Sequence, residues 1–266
     1  MGLPLALKAH NEGDLEVARE NYIRALEQND KNPIIFQNYG ALLKTLDSYE
    51  ESEKVYLNGL KLYPNHIGIN GNLANLYRIF KPVSALEKYK YTLSLHIDNG
   101  ASIESDVVRD VILDIVFVSR ELGLTSISLL IVVRALTIYP KNPTLLLNLM
   151  LLLSSDGFSD KFATFSKKLN KQLEEYIDSV DLYVRFELLL GLATHQVNKD
   201  NSFVANTFYD RAIECLYELT STNSEKSEKA RNLLTVNSWN ISCVILKLQD
   251  FSKGWELFEY GLQTPC

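Results

Sequence analysis

The amino-acid sequence predicts an all-α solenoid of about seven stacked helix-turn-helix pairs. Three observations predict it. A 34-residue period runs through the chain, small residues recur at fixed offsets inside that period, and proline-bearing turns separate one unit from the next. At 46% hydrophobic residues the chain can bury a continuous core, even though each unit packs only on its neighbours.

The clearest unit runs from Pro33 to His66, which is 34 residues. Its first helix is expected from Pro33 to about Leu46 and its second from Tyr49 to Leu62. Gly40 is the small residue of the first helix, where the partner helix must approach closely. Ser52, Tyr56 and Gly59 share the buried face of the second helix at helical spacing. The spacings are 12 from Gly40 to Ser52 and 7 from Ser52 to Gly59. The turns Asn32-Pro33, Tyr63-Pro64-Asn65-His66 and Tyr139-Pro140-Lys141-Asn142-Pro143 follow helix ends, because proline cannot continue a helix and starts the next one well.

The same frame recurs along the chain. In the first unit it holds Ala6, Ala18, Tyr22 and Ala25, with Gly13-Asp14 as the turn. In the third, Ala74 is followed by Ala85 and Tyr89, one residue short across Lys81-Pro82. Arg109 to Asn142 makes the fourth, with Gly123 at its turn, and Pro143 opens the fifth, whose second helix is expected from about Ser159 to Tyr176. Ala193, Ala205, Tyr209 and Ala212 mark the sixth; Ser242, Gly254, Phe258 and Gly261 mark the seventh. By regularity, residues 1–99 hold units one to three, residues 100–176 the divergent units four and five, and residues 177–266 units six and seven with irregular linkers. Three stretches leave the frame: Gly100–Val108, Ile177–Arg185 and Thr220–Leu234. The last is polar and serine-rich, either a loop or an extension of the next helix capped at Ser224.

Composition and motifs narrow the function. Thirty-three acidic against 27 basic residues give a net charge of −6, which argues against nucleic acid as a partner. Cys215, Cys243 and Cys266 read as reduced, partly buried thiols of a cytoplasmic protein. The first residues carry no basic n-region or cleavage site, and Ala6 stands where a myristoylation motif needs Ser or Thr. The apolar run Leu145 to Leu153 is far shorter than the roughly 20 residues of a membrane span and reads as a buried helix. The histidines His10, His66, His96 and His195 form no HExxH, and there is no CxxC, GxSxG, phosphate loop or GxGxxG. No catalytic set, metal or cofactor is therefore expected. Asn240-Ile241-Ser242 fits a glycosylation sequon but falls mid-helix and is discounted.

One constellation stands out. Position 6 of the first helix is Asn38, Asn72, Asn148 and Asn240 in units two, three, five and seven; Asp114 and Gly191 hold it in units four and six. A primary amide both donates and accepts, so it can pair with a peptide unit in two places. The plainer alternative is that these amides bond neighbouring helices.

The arrangement resembles the tetratricopeptide repeat family over essentially the whole chain. That resemblance implies a right-handed superhelix whose first helices line a concave face, with position 6 turned into it. The run Gly71-Asn72-Leu73-Ala74-Asn75-Leu76-Tyr77-Arg78 is similar to the repeats of O-linked N-acetylglucosamine transferase, in which a ladder of asparagines grips the backbone of an extended peptide. The candidate peptide-binding residues are therefore Asn38, Asn72, Asn75, Asn148 and Asn240, together with Gln37, Lys44 and Arg78. The family's carboxylate clamp for chaperone tails needs cations that Leu3, Leu7, Gln37, Gly68 and Asn72 do not supply. Asp250 to Tyr260 is similar to the last repeat of bacterial tetratricopeptide proteins that continue into a glycosyltransferase-like domain, with Phe258 in place of Tyr and Gly261 in place of Arg. The plain reading of that stretch is an amphipathic second helix with Trp255 and Phe258 buried.

The expected function is a non-enzymatic scaffold that binds a protein or extended peptide, without cofactor, metal or membrane span. The alternative is the substrate-recruiting N-terminal part of a bacterial glycosyltransferase-like enzyme. A third reading is homodimerisation through an end of the array. A first helix that starts short and no polar capping helix after Leu262 lead to the expectation of a longer parent protein.

Overall fold

The computed structural model describes residues 2–28, 32–153, 163–198, 200–220, 231, 235, 238, 241–248 and 251–262, and every regular element among them is helical. The helices are α1 (Gly2–Asn11), α2 (Leu15–Glu27), α3 (Pro33–Thr45), α4 (Tyr49–Leu62), α5 (Ile67–Phe80), α6 (Pro82–Asp98), α7 (Asp106–Glu121), α8 (Thr125–Ile138), α9 (Pro143–Leu153), α10 (Ala163–Ile177), α11 (Leu182–Asn198) and α12 (Ser202–Thr220). Residues 241–247 are helical and are labelled α13; α14 is Phe251–Leu262. By internal contacts the chain divides into two compact units, Met1–Ile131 and Val132–Cys266.

In the first unit α1 packs on α2, α3 on α4 and α5 on α6. Each second helix also touches the next first helix, and α1, α3 and α5 touch in succession, giving an inner layer of first helices. The helix starts are set by local chemistry. Asn32 Oδ1 accepts from the Ile34 amide at 3.0 Å ahead of Pro33, Asp14 Oδ1 from Val17 at 3.3 Å, and His66 Nδ1 from Ile69 at 3.2 Å. The turn inside each pair repeats as well. Gly13, Asp47, Gly123 and Asp200 hold one frame position and all take positive φ, between 55° and 80°. The third unit lacks that residue. Lys81, at φ −137°, is the only residue between α5 and α6, and Pro82 opens α6 directly. This accounts for the one-residue deficit in its spacing.

Close approach of paired helices fixes the core. A Cβ on Gly40 would fall 2.3 Å from the Tyr56 ring, and one on Gly59 would fall 2.7 Å from Phe36 Cβ. Ser52 Oγ donates to the Gly40 carbonyl oxygen at 2.7 Å, so the buried hydroxyl is satisfied by the backbone it packs against. Ala6, Ala18, Ala74, Ala85, Ala193 and Ala205 are fully buried at the matching positions.

In the second unit α9 packs on α10 and α11, and α11 on α12. The Leu145–Leu153 run is buried except for the half-buried Asn148 and Leu151, as expected of a helix inside an array. A Cβ on Gly191 would meet the Leu147 side chain at 2.6 Å.

Several expectations change. The Gly100–Val108 stretch already contains the start of α7 at Asp106, and the Ile177–Arg185 stretch the start of α11 at Leu182. Of Thr220–Leu234, only Thr220 and Arg231 are described, both helical; Ser224 lies outside the described residues. Cys215 is buried but Cys243 is exposed, and Cys266 lies outside the described residues. Trp255 is not buried but 53% exposed, stacked edge-on against the half-buried Phe258 at 5.3 Å. The reason is angular. A Cβ on Gly254 would lie 2.6 Å from Leu246, so Gly254 marks the packed face of α14. The next residue is turned about 100° away from that face.

Gly40→Ala will lower unfolding stability by about 1–3 kcal/mol, the usual cost of forcing a group into a packed core. Denaturant unfolding will show a lower midpoint at unchanged slope. An unchanged midpoint would refute the close-approach account.

Candidate peptide-binding surface

The residues proposed from sequence fall mostly on α3 and α5. Asn38 is half-buried on α3, and its side chain has no hydrogen-bond partner among the described residues. Asn72, half-buried on α5, donates from Nδ2 to the Gln37 carbonyl oxygen at 3.3 Å. It thus bridges first helices, as the plainer reading has it. Asn75 Oδ1 accepts from the Tyr89 hydroxyl at 2.6 Å, which commits its oxygen and leaves Nδ2. The Gln37 amide lies over Gly68, where a Cβ would fall 2.1 Å from Oε1.

The charged candidates stand in line. Lys44 is half-buried in the last turn of α3 and has no ion pair or side-chain hydrogen bond among the described residues. Burial holds its pKa below the ordinary lysine value, and the nearby Arg78 charge adds to that. Arg78 is exposed on α5, 3.5 Å from Asp114 Oδ1 and 5.1 Å from the centre of the Phe117 ring. Burial pushes the Asp114 carboxyl up to about 6; Arg78 opposes the rise and Asp110 reinforces it.

Lys44, Asn72 and Asn75 come together. With Ala41, Thr45 and Tyr56 they line a cavity of about 190 Å³ between α3 and α5. Asn148 belongs to the second unit, where its Nδ2 donates to the Thr144 carbonyl oxygen of its own helix at 2.8 Å. Asn240 lies outside the described residues. Sequence reading missed Tyr56, Ala41 and Phe117 as parts of this surface, and had Asp114 at the right frame position without naming it a binding candidate. A signal existed for Ala41, which stands 34 residues before Asn75 at the same frame position. Among the described residues no three His, Cys, Asp or Glu side chains gather as a metal site. No described helix is long and apolar enough to cross a membrane.

The Asp114 carboxyl will titrate near pH 6 in a carbon-13 NMR experiment, so the α5–α7 surface gains one negative charge as pH rises through that value. Because the Arg78 charge holds the carboxyl down, Arg78→Ala will move the titration to higher pH. A midpoint in the ordinary carboxylate range for both proteins would refute the burial of Asp114.

No family model matches the sequence, and no curated protein matches it. Solved structures do match. A tetratricopeptide repeat protein from Parabacteroides merdae ATCC 43184 is 16% identical, with 98% of each chain covered and a TM-score of 0.62. PilW, a type IV pilus biogenesis factor, is 16% identical over 86% of this chain and 96% of its own, with a TM-score of 0.56. MamA from Desulfovibrio magneticus RS-1 is 14% identical over 68% of this chain and 95% of its own, also at 0.56. At such identities the likeness is one of fold, and the fold is the helix-pair solenoid of tetratricopeptide repeat proteins.

Proposed function

We propose that this chain is a protein- or peptide-binding scaffold that holds an extended peptide along the first helices α3 and α5. The observation that carries the reading is Asn38. It is a half-buried amide with donor and acceptor both unmatched among the described residues. A peptide unit of a bound strand supplies the missing acceptor and donor at once. Asn72 and Asn75 each have one amide atom committed inside the fold and one to offer, Oδ1 and Nδ2 respectively. Arg78 over Phe117 adds a flat cationic platform beside them. Reading backbone rather than side chains gives tolerance of sequence, which suits a scaffold. Asn148 holds the same frame position in the second unit and donates to the Thr144 carbonyl oxygen of its own helix, and Asn240, at that position too, lies outside the described residues.

On this reading the chain has no catalytic role, requires no cofactor or metal, and works in the cytoplasm. The glycosyltransferase-linked alternative rests on the sequence of α14 alone. Dimerisation through an array end is the remaining rival, and light scattering of the purified chain tests it.

The peptide reading is tested by fluorescence anisotropy with a labelled pool of randomised decapeptides. Asn38→Ala will weaken the pool by about 0.5–1.5 kcal/mol, the net worth of a hydrogen bond, with helicity unchanged by circular dichroism. Combining it with Asn72→Ala and Asn75→Ala will weaken binding further. If the triple variant binds as tightly as the unaltered chain, or the unaltered chain binds no pool, the proposal fails.

A further inference from the structure

The outward faces of α2 and α4 carry one pattern with opposite charge. Glu20, Ile23 and Glu27 on α2 stand 34 residues before Lys54, Leu57 and Lys61 on α4, so each pair shares a frame position. All six residues are exposed, and Ile23 and Leu57, at 38% and 39%, leave large apolar groups in water. On both helices the two charges are seven residues apart with the apolar residue between them. Two like charges thus stand about 10 Å apart along one face. This side of the first unit is built by second helices, whereas α3 and α5 belong to the inner layer of first helices.

Neither set of charges is spent inside the fold. The Lys54 and Glu27 side chains have no ion pair or hydrogen bond among the described residues. Lys61 donates to the neutral Asn58 Oδ1 at 3.1 Å. Glu20 meets Arg24 at 3.3 Å, with both side chains more than 60% exposed, and such pairs contribute little. The lysines also border a furrow. Lys54, Leu57, Asn58, Leu60 and Lys61 of α4 and Lys88 of α6 line a hollow of about 500 Å³ with no Asp or Glu in its lining. Lys88 Nζ donates to Asn70 Oδ1 at 3.3 Å, and Glu87 borders the adjacent hollow with Tyr77, Ser84 and Tyr91.

We infer that the outer face of α2, α4 and α6 is an interface for a second copy of this chain, in which the Glu20, Ile23 and Glu27 ridge of one copy enters the Lys54, Leu57 and Lys61 furrow of the other. Charge and spacing choose the occupant. The furrow calls for two carboxylates about 10 Å apart flanking an apolar group, and α2 presents that set. With a twofold axis normal to the face, α2 of one copy runs antiparallel to α4 of the other. Glu27 then meets Lys54, Glu20 meets Lys61 and Ile23 meets Leu57. The same operation seats the second ridge in the first furrow, so every contact is made twice. The helices of the two copies interleave as ridges in grooves. Two chains of net charge −6 repel as wholes, but at physiological ionic strength that repulsion is screened beyond about 8 Å, whereas the apposed pairs are closer. The inner layer stays uncovered, so self-association and peptide binding coexist.

Sedimentation velocity of the full chain over a concentration series tests this. The unaltered chain will show a monomer–dimer equilibrium. Glu20→Lys with Glu27→Lys makes both stripes basic, and Lys54→Glu with Lys61→Glu makes both acidic. Each double variant alone will raise the dimer dissociation constant about tenfold or more, because like charges then face each other. An equimolar mixture of the two variants will dimerise again, since every altered stripe meets its opposite. All four positions are exposed, so circular dichroism and melting of each variant will match the unaltered chain. Recovery on mixing separates the interface from a merely structural role. A chain that stays monomeric at every concentration overturns the inference. So does a dimer that neither variant weakens, which places association elsewhere, such as at an array end. A weakened dimer that mixing does not restore overturns it as well. None of these outcomes bears on the peptide reading, which is read by Asn38→Ala.

Discussion

The approach of the two helices inside each pair is the constraint on which the rest depends. At Gly40 the first helix has no side chain, and the Tyr56 ring of the second lies where a Cβ would be 2.3 Å away. Alanine takes the same place at Ala6, Ala74 and Ala193, fully buried each time. Small residues there let a large ring lie across the partner helix, so its apolar surface is buried without opening the pair. The ring then carries its hydroxyl to residues of the first helix, as the contacts to His10 and Asn75 show. A packing requirement thus delivers a polar group beside the inner layer of helices, repeat after repeat.

That delivery explains why binding candidates and structural residues are the same residues. Asn75 completes Tyr89 and also lines the cavity next to α3. Asn72 ties α5 to α3 through the Gln37 carbonyl oxygen and lines the same cavity. The turns follow an equally local rule. Four units spend one left-handed residue on the turn, and the third dispenses with it by letting Lys81 cap both α5 and α6. Local rules of this kind make the array tolerant of irregular units, since each helix pair needs only its neighbours.

What was legible in the sequence follows from the same locality. The second helix expected at Tyr49–Leu62 is observed at Tyr49–Leu62, and α9 opens at Pro143, because proline turns and small-residue spacing act within one repeat. The environments of the asparagines were not legible. Asn38, Asn72 and Asn148 share a frame position, yet the first is unmatched, the second bonds a carbonyl 35 residues away, and the third bonds its own helix. Those outcomes depend on which residue faces each amide from the adjacent helix. The raised pKa of Asp114 has a similar origin, in burial between helices and in Asp110 and Arg78 acting against each other. Trp255 was misplaced because amphipathic spacing identifies a packed face only when the residue at its centre is known, and Gly254 holds that centre.

Net charge illustrates how far a global quantity can diverge from a local one. The chain carries −6, which speaks against a polyanion that must contact many phosphates along a basic stripe. It does not speak against a single carboxylate. At physiological ionic strength screening sets in over about 8 Å, so an occupant of the cavity between α3 and α5 responds to the groups that line or adjoin it. Lys44 and Arg78 are those groups, and Asp114, whose carboxyl burial pushes up to about 6, adds its negative charge beside Arg78 above that pH. Two cations and one carboxylate thus set the charge around the cavity, whatever the sign of the whole chain.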